Sequence, residues 1–498
     1  MELAQIILQE ERAEPKREYG TDCYFVFPPI SASERYGGRK LPEALGHLPP
    51  LGILYLAAMM EKNGFSCKVL DGPVSGMDAT QAAEAVVAER PHIVCVSSIT
   101  ATFYRSIEVA KKIREELPDT PILIGGHHAT IMPFEVMKEP CFDIIVYNEG
   151  ELTFLELMNE FRKNPRLLED KERLKEIKGI YFRANDGSII KTEPREPIQN
   201  LDELPFAARH LVDMAKYKPL PNQYKRLPAT NFVAIRGCLY GCTFCSNPAI
   251  FGHKIRAFSP RRTVDEIKFL GEKYGIKEIS FWDDVFTINR KWTEEVCDLL
   301  ISEKVDVTWS CYSRVNGIDP ELLAKMKKAG CWNIFFGIES GNQESLNLIR
   351  KGTNLEIIRR AIKMCKKAGI ETRGSFIIGL PGETPEMARK TVEFAKSLDL
   401  DYAQFCICTP FPGTEMFNTA EEYGTLNKEY DRYQIWSPVF VPKGYKDAKE
   451  LEDMEKYAMR SFYLRPKYVI GRILSIRSFT DIKKYFEGLG FVMGFAKK

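Results

Sequence analysis

NFVAIRGCLYGCTFCSNP, residues 231–248, runs a short apolar strand directly into a loop carrying Cys238, Cys242 and Cys245. The chain beyond keeps repeating that strand-then-polar-loop plan. Strands are predicted within EISFWDD (278–284), DVTWSCYSR (306–314), WNIFFGIES (332–340), RGSFIIGLPGE (373–383) and AQFCICTP (403–410). Helical patterns such as PELLAKMKKAG and LEIIRRAIKMCKKAG follow nearly every one. Six β/α units make an incomplete barrel of the TIM type, in which chemistry gathers at the carboxyl ends of the strands.

The same alternation governs residues 21–160. Apolar runs in TDCYFVFPP, FSCKVLDG, HIVCVSSI, PILIGGHHA and CFDIIVYNEGE are separated by amphipathic segments such as FYRSIEVAKKIREELP. Strands apolar on both faces predict a parallel, doubly wound α/β sheet of Rossmann type. Its ligand crevice would lie at the strand ends: Pro28-Pro29, Asp71-Gly72, Ser97-Ser98, Gly125-Gly126-His127-His128 and Glu149-Gly150-Glu151. Residues 161–228 read as a connector with a hairpin turned at Asn185-Asp186-Gly187. The expected organisation is an N-terminal arm (1–20), the first module (21–160), the connector, the partial barrel (229–425) and a helical C-terminal region (426–498).

The 498 residues carry 70 basic and 68 acidic side chains, so no global field marks a nucleic-acid binder. Residues 1–20 lack a secretion signal, and no run reaches the roughly 18 apolar residues of a membrane span. A cytoplasmic protein is expected. Of its 13 cysteines, ten are scattered and read mostly as small buried hydrophobes; only those at 238–245 have ligand spacing.

Three close cysteines admit several readings. A structural zinc site wants four ligands, with His253 as the fourth candidate. A redox pair does not use a third partner at 238. A [4Fe–4S] cluster held by three thiolates keeps one iron open for a substrate or cosubstrate. The spacing C-x-x-x-C-x-φ-C, with Phe244 before the last cysteine and a barrel strand before the loop, resembles the radical S-adenosylmethionine (SAM) superfamily. That resemblance implies a cluster on Cys238, Cys242 and Cys245, SAM chelated at the open iron, and reductive cleavage to a 5′-deoxyadenosyl radical. It also implies SAM contacts at the other strand ends: Asp283 and Asp284 for the ammonium and Arg314 for the carboxylate. Glu339 and Ser340 would serve the ribose. Gly379, Pro381, Gly382 and Glu383 would lie near adenine, with Thr409 and Pro410 at the sixth strand.

The first module resembles the cobalamin-binding domain of the same enzymes in LPPLGILYLAAMMEKNGF, GGHHATIMPFEVM and VYNEGELTFLEL. The resemblance implies a corrin near Ser97, Ser98, Gly125, Gly126, His127, His128, Glu149, Gly150 and Glu151. The Asp-x-His-x-x-Gly motif for a lower cobalt ligand is absent, so cobalamin is expected without a histidine ligand; His92 reads as structural. The group includes the anaerobic magnesium-protoporphyrin monomethyl ester cyclase and many carbon methylases. It implies methylation of an unactivated carbon of a small-molecule or lipid-like substrate, or a radical cyclisation or rearrangement without net methylation. A non-catalytic carrier or sensor is the third reading. A flavodoxin or ferredoxin is the implied electron donor, and no nucleic acid is expected. From Phe462 onward the tail has eight Lys and Arg against two Asp and Glu. It reads as a helical lid or as a peripheral membrane contact.

Overall fold

A computed structural model describes residues 19–38 and 46–474, together with 476, 488 and 490. Strands β1 (Thr21–Phe27), β2 (Cys67–Asp71), β3 (Pro91–Ser97), β4 (Ile122–Gly125) and β5 (Ile144–Val146) pair in parallel in the order β2-β1-β3-β4-β5. Phe25, Val26, Ile93, Val94, Leu123 and Ile124 are buried on both faces because helices cover both. Strand order reverses between β1 and β3, where such a sheet opens its crevice.

The hairpin expected in the connector extends this sheet. β6 (Ile180–Arg183) pairs antiparallel with β5, and β7 (Ile189–Lys191) pairs antiparallel with β6. Asp186 closes the turn by accepting from Ser188 N at 2.9 Å. Arg183 locks the edge by donating to the carbonyls of Met137 and Phe142.

In the second half, β8 (Ala229–Phe232) leads into a ribbon of β9 (Ile235–Arg236) and β10 (Arg256–Ala257). Then follow β11 (Glu278–Phe281), β12 (Thr308–Ser313), β13 (Cys331–Glu339), β14 (Glu371–Ile378) and β15 (Tyr402–Ile407). The order β15-β14-β13-β12-β11-β8 is parallel throughout, the open half of a TIM-type barrel. The helices on its outer side start where the sequence says they should. Ser259, Asp319 and Thr384 cap helices that each begin with proline, their oxygens accepting from Arg262 N, Leu322 N and Met387 N.

The two sheets share one apolar core, in which Phe258 stacks on Phe232 at 5.9 Å and on Tyr55 of the first module at 6.2 Å. Fully buried Arg209 from the intervening segment donates to Thr230 Oγ1 (2.8 Å) and the Asn231 carbonyl (2.6 Å), while Ala208 N donates to the Leu54 carbonyl. The C-terminal region adds the antiparallel ribbon β16 (Gly424–Leu426) and β17 (Phe440–Pro442), then helices Ala448–Tyr463 and Pro466–Leu474. The first of these helices covers β15, with Phe462 against Phe405 at 6.2 Å. Most of the basic aromatic tail, and the arm through residue 18, lie outside the described residues. Among the described residues no helix is long and apolar enough to cross a membrane.

Candidate active site

The loop after β9 is fixed from several sides. Gly237 has φ +95, and a Cβ there would stand 2.1 Å from the Lys254 carbonyl oxygen, so only glycine fits. Cys245 N donates to the Cys242 carbonyl, Thr243 N to that of Ile349, and Met416 N to that of Thr243. Cys238 and Cys242 are buried and Cys245 half-buried; none is in a disulfide. Burial pushes the Cys238 and Cys245 thiols up, the latter to about 11. Bound metal cations reverse that preference, since coordination displaces the thiol protons.

Arg314, at the end of β12, donates from Nη1 to Cys242 Sγ at 3.4 Å, lies over the Tyr240 ring at 3.7 Å and donates to the Lys351 carbonyl. Lys351 Nζ pairs with Glu339 at 2.6 Å and stands 5.6 Å from the Phe244 ring. Glu339 adopts φ +68 at a bulge in the β13–β14 pairing, which turns its carboxylate toward Lys351. The fold thus brings Cys242, Phe244, Arg314 and Glu339 together and adds Tyr240 and Lys351, which the strand-end reading did not single out. Tyr240's only sequence signal is its place inside the cysteine loop.

Other expected contacts are occupied within the protein. Asp283 is buried and accepts from Ala234 N (2.7 Å) and Ile235 N (2.5 Å), pinning the end of β8; burial raises its pKa to about 7. Its neighbour Asp284 is exposed and accepts from Asn247 Nδ2. Ser340 is not free for a ribose, because its Oγ is shared with Thr391 Oγ1 at 3.2 Å and accepts from Asn342 N. Thr409 donates to the carbonyls of Ile407 and Gln434, with Pro410 buried beside it. Pro381 is also buried.

Gly379 N donates to Glu383 Oε1 at 2.5 Å, as does Tyr445 OH at 2.9 Å. Glu383 is fully buried, and that burial raises its pKa from 4.5 to about 7. The folded protein therefore holds this proton to higher pH than the unfolded chain does. Its contribution to stability falls by about 3 kcal/mol as pH rises from 4.5 to 7 and is level above that. Glu383→Gln keeps an oxygen acceptor without the charge. Urea midpoints measured at pH 5 and pH 8 should show the variant gaining on the wild type at the higher pH.

On the first module, Gly126 (φ +92) packs so tightly that a Cβ would lie 2.7 Å from the Ser98 carbonyl oxygen. Ser98 N donates to the Gly125 carbonyl, and the Ser98 carbonyl accepts from His128 N. Ser97 and Gly125 border the strand ends half-buried, and His127 is exposed. His128 is instead a core residue: its ring is wedged against Phe103 (4.4 Å) and Tyr430 (5.2 Å), and burial lowers its pKa to about 4. Glu149 and Glu151 do not face the crevice as free groups. Arg236 donates to Glu149 (2.9 Å) and Glu151 (2.6 Å), and Arg256 to Glu149 (2.8 Å), so these carboxylates fasten the modules together. Gly150 packs against Leu56.

The strand ends of both sheets meet around this seam. Gly413, beyond β15, lies so near Ile131, beyond β4, that a Cβ would stand 2.5 Å from its Cγ2. Residues 232–395 match the model of the radical SAM superfamily, and residues 42–158 match that of the B12 binding domain. An uncharacterized methyltransferase of Pyrococcus horikoshii is 36% identical over 89% of this chain and 93% of its own length. The anaerobic magnesium-protoporphyrin IX monomethyl ester cyclase of Rubrivivax gelatinosus is 31% identical over 86% of this chain and 76% of its own. The chain belongs to the B12-binding radical SAM family. The fold agrees with that of the radical SAM methyltransferase TsrM from Kitasatospora setae, solved with cobalamin and a [4Fe-4S] cluster bound: TM-score 0.68 at 17% identity, over 96% of this chain and 99% of that one. The protein is accordingly an enzyme whose cofactors are a [4Fe–4S] cluster, SAM and cobalamin.

The residues fit those groups. The fit is one of chemistry: three unbridged thiols share one loop and a guanidinium donates to one sulfur, although among the described residues the side chains do not form a closed metal cage. Asn247 Oδ1, beside the cysteine loop, is buried without a partner.

Proposed function

We propose that this enzyme transfers a methyl group to an unactivated carbon of a small-molecule substrate. The observation that carries this reading is the meeting of the two crevices. Arg236 beside the cysteine loop is paired to Glu149 and Glu151 beyond β5, and Gly413 abuts Ile131 beyond β4. A corrin site and a radical-generating site would then open toward one another.

When bound, the cluster supplies the electron that splits SAM, and cobalamin supplies the methyl carrier. Cys238, Cys242 and Cys245 would hold the cluster. Arg314 orients Cys242 by its hydrogen bond to sulfur and is itself oriented by the Lys351 carbonyl. Asp284 is the carboxylate available to an ammonium group at the loop, and Lys351 with Glu339 forms a fixed dipole beside Phe244. Ser97, Gly125 and Gly126 offer backbone and hydroxyl contacts to the corrin. A flavodoxin or ferredoxin serves as reductant, and the tail beyond residue 476 is the segment for any peripheral membrane contact.

Relatives bearing methyltransferase names, among them the cytidylyl-2-hydroxyethylphosphonate methyltransferase of Streptomyces wedmorensis at 28% identity, support transfer over cyclisation. The protein loaded with its cluster, given titanium citrate and SAM, should release S-adenosylhomocysteine only when cobalamin is added. Deoxyadenosine without S-adenosylhomocysteine from the cobalamin-loaded protein would favour cyclisation or rearrangement.

A further inference from the structure

The inner face of the half-barrel carries a row of side chains that the cofactor sites do not use. Register places Tyr312, Phe335, Arg373 and Tyr402 side by side across β12, β13, β14 and β15. Neighbours on the opposite face, Ile334, Phe336 and Phe376, are fully buried under the helices, whereas Tyr312 and Phe335 are only half-buried. The row therefore faces the lumen. Trp282, 43% exposed, continues it: its ring meets Tyr312 at 6.0 Å, and Tyr312 meets Phe335 at 5.0 Å. The row begins beside the cysteine loop, because Tyr312 precedes Arg314 by two residues.

At its far end Arg373 is 4% exposed, 4.8 Å from the Phe335 ring, and donates from Nε to Asn333 Oδ1 at 2.8 Å. No described residue forms an ion pair with it, and Asn333 Nδ2 is buried without a hydrogen-bond partner. The nearby carboxylate of Glu278 is engaged by Trp332 and the amides of Lys225 and Arg226. A guanidinium this deeply buried with no ion-pair partner among the described residues, beside a buried unmet amide N–H, marks a place for an oxyanion.

Resting on the methyltransferase reading, we propose that the substrate is a planar, largely apolar acid. Its carboxylate is received by Arg373 and Asn333, and its ring system lies over Phe335, Tyr312 and Trp282 toward the cluster. Three strand spacings separate Trp282 from Arg373, about 14 Å, which sets the reach of such a molecule.

The probes are 1-pyrenebutyrate and its neutral counterpart 1-pyrenebutanol, titrated by fluorescence into the reconstituted wild type. The acid should bind at least about tenfold more tightly than the alcohol, a charge-assisted bidentate contact. Arg373→Gln should bring the two affinities within about twofold, and Arg373→Lys should keep an intermediate preference because ammonium cannot bind in two-point fashion. Trp282→Ala should weaken both probes alike. Equal affinities in the wild type would overturn the proposal whatever the variants do, as would an unchanged ratio in Arg373→Gln. SAM cleavage by the wild type is measured separately: its absence would sink the methyltransferase reading and leave the binding ratio standing.

Discussion

Alanine at Cys242 should yield a folded protein that takes up little iron and sulfide, lacks the broad cluster absorbance and forms no 5′-deoxyadenosine above background. A cubic cluster with three thiolates has no ligand to spare, and the lost sulfur is the one Arg314 donates to at 3.4 Å. The expected fall in SAM cleavage is on the order of 10³-fold or more, because the step itself is lost rather than slowed. Folding should survive, since the loop is held by backbone bonds from Thr243 and Met416 and by the close packing of Gly237, none of which needs that sulfur. Iron and sulfide analysis beside circular dichroism checks both halves. A Cys242→Ala protein that loads a full cluster and cleaves SAM at the wild-type rate would contradict the ligand assignment.

Arg236→Met should be the most damaging single change to the joint between the modules. Arg236, Glu149, Glu151 and Arg256 form a buried lattice whose side chains are each about one-tenth exposed or less. Among the described residues, removing one guanidinium leaves Glu151 without an ion-pair partner and Glu149 with Arg256 alone. Breaking a buried pair in this way costs about 3–5 kcal/mol, because the remaining charge keeps its desolvation penalty. The first unfolding transition in urea should move to lower concentration. Corrin binding should weaken with it, since the same joint holds the two strand-end faces together. The triple change that also neutralises Glu149 and Glu151 as Gln should recover part of the loss. If Arg236→Met alone shifted nothing, the lattice would be ornamental and the facing of the two crevices would need another cause.

Much of this architecture is legible in the sequence because its signals are local. Alternating apolar strands and amphipathic helices mark both parallel sheets. The cap-and-proline starts at 259–260, 319–320 and 384–385 place helices, and the cysteine loop is a compact motif. What the sequence conceals depends on distant partners. The turn at Asn185-Asp186-Gly187 announces a hairpin, but nothing nearby says that β6 will pair with β5 and enlarge the first sheet. Ser340 looks like an open hydroxyl at a strand end until Thr391, on the helix after the next strand, takes its hydrogen bond. Glu149 and Glu151 look like crevice carboxylates until Arg236 and Arg256 arrive from the other module. Asp283 and Asp284 are adjacent and chemically identical, yet just past β11 one is buried against the amides of Ala234 and Ile235 and the other is exposed beside Asn247. Lys351 pairs with Glu339 where the bulge in β13 puts that residue at positive φ, a backbone state the side-chain pattern does not encode.

Anaerobic formation of 5′-deoxyadenosine from SAM by the reconstituted wild type, run beside Cys242→Ala under the same reductant, tests the radical SAM assignment most directly. The expected result is deoxyadenosine that accumulates with the wild type, tracks the amount of bound cluster and is absent from the variant. A wild-type protein with a full complement of cluster that leaves SAM intact would contradict it.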